Sequence, residues 1–134
     1  MDIAACERCQ DAPNAALLAG VDLFNRREYF ACHEVLEDAW NAEPEPIRVL
    51  YKGILQVGVG CYHLLRGNYI GAMAKLASGA DYLEPFAPNC MSIDVAGLIA
   101  ASRHLRVAVE AAGPTETATV DRALLPQITI SAPG

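Results

Sequence analysis

A chain of 134 residues, 53% hydrophobic and 19% charged, suits one domain around one core and excludes a disordered body. Its formal charge of −6, with no Lys/Arg cluster, argues against a nucleic-acid partner, because phosphates require basic surface. No hydrophobic stretch reaches the length of a membrane span, and the N-terminus lacks the basic region and apolar run of a signal peptide, so no membrane partner is expected. Five cysteines, at 6, 9, 32, 61 and 90, form an odd and uneven set, so reduced thiols in a cytoplasmic protein are the simpler reading.

In chain order, residues 1–12 are small and polar and read as a flexible N-terminal segment. They carry Cys6-Glu-Arg-Cys9, which is half of a zinc knuckle, a redox dithiol, or neither, since no second pair of ligands follows nearby. A helical domain is expected over 13–112 and a C-terminal tail packing on it over 113–134. Pro13 and Asn14 lead into a first helix, AALLAGVDLF, with Leu17, Val21 and Phe24 on one side and Leu18 flanking. Asn25 either caps that helix or starts the next, with Glu28 at its third position. Helix two runs from near Glu28 to Trp40 or Asn41, where Glu43-Pro-Glu-Pro46 stops it, and Pro46 suits the start of helix three.

Helix three, roughly Ile47 to Arg66, is apolar almost all round and is expected at the centre. Its strongly polar residues between Leu50 and Leu65 are Lys52, Gln56 and His63, which fall within about 40° of one another at helical angles. Gly60 and Gly67 lie along the same line, leaving room for a close neighbour, a water or a ligand. Gly67 ends the helix, and Asn68 can cap helix four, Tyr69 to Leu83, whose Ile70, Met73, Ala77 and Ala80 are expected to face a partner helix. Ser92 can cap a fifth helix from Ile93 to about Ala111, closed by Gly113-Pro114. The tail segment Leu124 to Ile130 is expected as an extended apron, a strand being disfavoured for want of a partner. The fold class is therefore all-α, a compact up-down bundle of about five helices with an extended C-terminal tail.

The densest chemistry lies in Tyr29 to Trp40, YFACHEVLEDAW. On a helix, Tyr29, Phe30, His33, Leu36, Glu37 and Trp40 share one broad face, which places a histidine and a glutamate one turn apart among large apolar groups. If this face meets the polar stripe of helix three, His33, Glu37, Gln56 and His63 converge and can hold a divalent metal, Zn, Fe or Mn, with an open position for water. Tyr29, Phe30, Glu34, Trp40, Lys52, Arg66 and Asn68 would line such a pocket, with Lys52 paired to Glu37 or Glu34. The same residues equally suit a buried hydrogen-bonded network that fixes helix register. His33-Glu-Val-Leu-Glu37 fails the zinc-protease pattern HExxH at its last letter. His104, among arginines, reads as surface, and Cys32 and Cys61 as small core residues.

Two blocks carry a resemblance. Leu23-Phe-Asn25, Glu28-Tyr-Phe30, His33-Glu34, Leu36-Glu37 and Trp40 form the first, and Lys52-Gly53-Ile54-Leu55-Gln56, His63, Arg66-Gly67-Asn68 and Gly71-Ala72 the second. Together they resemble the DUF309 family, a domain of unknown function, over about Leu17 to Phe86, with a fainter similarity at Ile93 to Leu98. The resemblance implies a small all-helical fold and no established activity. Where the family has glycine or another small residue near position 27, this chain has Arg27.

Two functions follow as expectations. One is a small-molecule or metal pocket between helices two and three, with hydrolysis as its candidate use. The other is a non-catalytic helical module that forms a homodimer or binds a protein partner through the small-residue helix four and the apolar tail.

Overall fold

Each of the five long helices packs on its sequence neighbour, and the third lies between the second and the fourth at the centre of the series. In this computed structural model, which describes residues 7–131, the five long helices are α1 (Ala15–Asn25), α2 (Tyr29–Ala42), α3 (Arg48–Leu65), α4 (Tyr69–Leu83) and α5 (Val95–Ala112). The expected all-α bundle is therefore what the chain forms. No helix among the described residues is long and apolar enough to cross a membrane.

Local signals explain most of the boundaries. The Asn14 side chain accepts from Leu17 N at 2.9 Å and so satisfies one free amide at the start of α1. Leu17, Val21 and Phe24 of α1 are buried, as their spacing predicts, while Leu18 is exposed. Asn25 follows neither expected reading. It is the last residue of α1, and its side chain grips the tail: Nδ2 donates to Ile128 O at 2.9 Å, and Oδ1 accepts from Ile128 N at 2.7 Å. The turn into α2 passes through Arg27 at φ 63°, a left-handed conformation that favours glycine. That accounts for the small residue expected near this position, and it makes Arg27 an unusual occupant.

Contact between α3 and α4 depends on glycines. A Cβ on Gly79 would lie 2.8 Å from Val57 N and 3.1 Å from Gly53 O, so the two backbones approach closely there. The space at Gly60 is taken likewise: a Cβ would lie 2.8 Å from Leu76 Cγ. That glycine serves helix packing, not a ligand. The expected face of α4 needs correction, since Ile70 is 79% exposed and the buried residues are Ala72, Leu76, Gly79, Ala80 and Leu83.

The start of α5 also differs. Ser92 does not cap it. Asn89–Cys90 (β1) pairs antiparallel with Ile93–Asp94 (β2), and Met91 and Ser92, at φ 49° and 66°, form the turn between them. Two successive positive φ angles match the tight hairpin turn that follows strand twist. Asp94 is the cap, accepting from Gly97 N at 2.9 Å. This hairpin supplies the partner that the tail lacked in sequence. Asp94 N donates to Thr129 O at 3.0 Å, and Ser131 N donates to Ser92 O at 2.7 Å. Leu125 and Ile128 are buried, so the tail covers the bundle as an extended segment with one strand-like bridge, Ile93 to Ile130.

The cysteine reading is overturned in part. Cys9 and Cys90, 81 residues apart, form a disulfide that joins the N-terminal segment to the hairpin. Cys6, the other half of the CxxC, lies outside the described residues. Arg8 strengthens this attachment through ion pairs with Asp11 at 2.8 Å, Glu43 at 3.3 Å and Glu45 at 3.1 Å. Where the composition suggests a loosely held start, 7–11 are thus tied across the α2–α3 connection. The disulfide also removes cysteine usage as an argument for a compartment. Cys32 and Cys61 are free and buried, as expected.

Candidate functional site

The face of α2 that carries His33 does meet the polar stripe of α3, and the junction is a surface groove. Its polar part has a volume of about 200 Å³ and is lined by His33, Glu37, Trp40, Lys52, Leu55 and Gln56. A second, apolar part of about 170 Å³ is lined by Tyr29, Phe30, His33, Val59, Tyr62 and His63. A shallower outer depression of about 350 Å³ is bounded by Phe30, His33, Glu34, Glu37 and Asp38. His33 belongs to all three. The helical spacing explains this: Phe30, His33 and Glu37 follow one another up the exposed edge of the α2 face, while Tyr29 and Leu36 turn into the core.

Each expected residue can now be placed. The His33 Nε2–H donates to Glu37 Oε2 at 2.9 Å, the i,i+4 couple predicted from spacing. Both side chains are well exposed, so the couple adds at most about 1 kcal/mol to stability. It is available to a ligand. Gln56 lines the groove, yet its Oε1 accepts from Ser78 Oγ of α4 at 2.6 Å, which orients the amide and leaves its N–H groups toward other partners. Lys52 does not pair with Glu37 or Glu34. Its ammonium lies 5.1 Å from the centre of the Trp40 ring and 5.1 Å from that of Tyr82. The guanidinium of Arg48 stacks at 4.1 Å on the same indole.

His63 stands in the apolar part and is held by Asn68. The Asn68 Oδ1 accepts from Gly71 N at 2.9 Å, so its Nδ2 is the group that donates to His63 Nδ1 at 3.2 Å. The neutral ring then carries its proton on Nε2. Arg66 lies 5.4 Å from the centre of the Tyr62 ring, and Phe30 contacts Tyr62 at 6.2 Å between centroids. The proposed ligand set is thus drawn along one strip without closing on one point. Among the described residues, no three His, Cys, Asp or Glu side chains gather closely enough to hold a metal ion.

Beneath the apolar part, the core holds three titratable groups. The Tyr29 hydroxyl is buried with no nitrogen or oxygen partner, and the Cys61 thiol stands beside it. Burial raises the Tyr29 pKa well above the usual phenol range. Burial likewise pushes the thiols of Cys32 and Cys61 up to about 12, so neither is a reactive thiolate at neutral pH. Sequence reasoning missed several contributors to the groove, among them the lining residues Leu55 and Val59 and three neighbours that hold the lining side chains, Ser78, Tyr82 and Arg48. Ser78 and Tyr82 sit on α4, in a helix whose pattern reads as packing surface. Arg48 was recoverable in principle, because the tight connection after Trp40 brings the start of α3 back over the indole.

This arrangement defines a small helical domain with one amphipathic groove across its α2–α3 face. The family described as "Domain of unknown function (DUF309)" matches over residues 17–74, from α1 into α4, and includes that groove. Over these residues the chain is similar to the DUF309 family. A relative, "Uncharacterized protein YpuF" of Bacillus subtilis (strain 168), is 36% identical over 73 residues, which cover 54% of this chain and 42% of that protein. The chain thus spans less than half the length of this curated relative. No solved structure matches the chain.

Proposed function

We propose that the α2–α3 groove binds a small organic molecule, with His33 as the central contact. The observation that carries this reading is that His33 joins a polar depression to an apolar one, each large enough for a few non-hydrogen atoms. Small-molecule sites combine apolar walls with a few placed polar groups, and this groove has both. Phe30, 61% exposed at its rim, would lose water contact when the groove fills. The His33–Glu37 couple is also the arrangement of an oriented general base, so a bound ester or amide would place hydrolysis within its reach.

Indole, a neutral probe, tests the groove itself by protein-detected NMR at millimolar concentration. Perturbation centred on Phe30, His33 and Tyr62, reduced in His33→Ala, is expected. No perturbation there, or the same perturbation in His33→Ala, would sink the reading.

A second reading keeps the divalent metal, favoured by the His33–Glu37 donor pair facing the groove. It requires Gln56 to turn from Ser78 or His63 to give up its bond with Asn68. Calorimetric titration with Zn or Mn, lost in Glu37→Gln, is its expected signature. A self-associating module is the alternative to both, with Phe30 and Ile70 as the exposed apolar groups that a second copy would cover. Concentration-independent monomers in sedimentation would exclude it.

A further inference from the structure

The polar part of the groove holds two opposite charges that do not neutralise each other. Lys52 and Glu37 both line it, and no ion pair joins Lys52 to any carboxylate among the described residues. Each charge is kept apart by its own neighbours. Trp40 and Tyr82 hold the ammonium of Lys52 between their rings, and His33 takes one oxygen of Glu37. Gln56, fixed through its oxygen by Ser78, places N–H donors on the same wall as Lys52.

From this separation we infer that the groove's ligand is a zwitterion of the α-amino acid type with an apolar side chain. Its carboxylate would be received by Lys52 and the Gln56 amide, and its ammonium by Glu37. Both are charge-assisted hydrogen bonds, the stronger kind. The apolar side chain would then extend past His33 into the trough of Phe30, Val59 and Tyr62. A simple organic anion would leave Glu37 facing a like charge, and a simple amine would leave Lys52 doing so. Only a ligand with both charges matches both residues. The polar part, about 200 Å³, has room for such a head group, and the apolar part, about 170 Å³, shares His33 with it.

This inference rests on the reading of the groove as a small-molecule site, and three probes separate the two. L-Phenylalanine carries both charges, N-acetyl-L-phenylalanine only the carboxylate and L-phenylalaninamide only the ammonium. Calorimetry or NMR titration of the whole chain should show phenylalanine binding about tenfold or more tightly than either single-charge analogue, the loss expected from one charge-assisted bond. Lys52→Met should remove the advantage over the amide, and Glu37→Gln the advantage over the N-acetyl compound. Equal binding of all three, or none by phenylalanine, would overturn the inference. Should a variant fail to fold, the comparison of probes on the unmodified chain decides alone. If indole perturbs the groove while phenylalanine does not bind, the zwitterion is wrong and the groove reading stands. If neither binds, both fail.

Discussion

Asn25 and Ile128, 103 positions apart, are joined by two hydrogen bonds through one side-chain amide, which donates to the Ile128 carbonyl and accepts from its N–H. A short polar side chain at the end of α1 thus does for the tail what a neighbouring strand would do. Asn25→Ala should cost about 1–2 kcal/mol, since both backbone groups of a part-buried residue lose their partner. Denaturant unfolding checks the magnitude. Amide exchange at Ile128 checks the cause, because it should accelerate far more than exchange in α3.

Gly79 is the most sensitive point of the α3–α4 contact. The groups that a Cβ would meet include Val57 N and Gly53 O, which are backbone atoms and cannot rotate away. Gly79→Ala is therefore expected to destabilise by about 1–3 kcal/mol despite alanine's better helix propensity. An unchanged or raised midpoint in urea would show that the helices separate at little cost.

The Cys9–Cys90 bridge closes a loop of 81 residues. In the chain-entropy account such a closure stabilises by about 4.5 kcal/mol. Thermal unfolding with and without dithiothreitol should differ by about 10–15 °C, and Cys9→Ser should behave like the reduced protein. Peptide mapping under non-reducing conditions should recover the two segments linked.

Burial of Cys32 and Cys61 predicts a loss of stability in alkali. Their folded pKa values, about 12, lie above the ordinary thiol value of 9.0, so below pH 9 both states carry neutral thiols. Between pH 9 and 12 the unfolded chain releases protons that the folded chain retains. Stability then falls as pH rises, by about 1.4 kcal/mol per pH unit for each thiol. The double variant Cys32→Ala/Cys61→Ala should flatten that slope. An unchanged slope would place its origin elsewhere.

The legible part of this fold is the part with strong period. The apolar spacing of Leu17, Val21 and Phe24, and the single polar line on α3, suffice to place α1, α2 and α3 and to bring their faces together. What was not legible depends on groups without local signature. Met91-Ser92 has none of the glycine or asparagine that announces a hairpin, so the partner for the tail stayed hidden. Cys9 and Cys90 meet only after the whole chain has turned back. Lys52 and Gln56 stand on the expected face, but the groups that hold them, Tyr82 and Ser78, come from α4, and Lys52 lacks the carboxylate partner expected for it. Alternation of small residues along that helix conceals which of its sides reaches the groove.

The central claim is that His33 is the contact point of a ligand-binding groove. The chain has three histidines, and His104, exposed on α5, provides an internal control. Ring proton and nitrogen resonances of His33, His63 and His104 should be followed while indole is added at constant pH. The account predicts saturable movement of His33, a smaller movement of His63 and none of His104. Equal drift of all three, or a stationary His33, would contradict it.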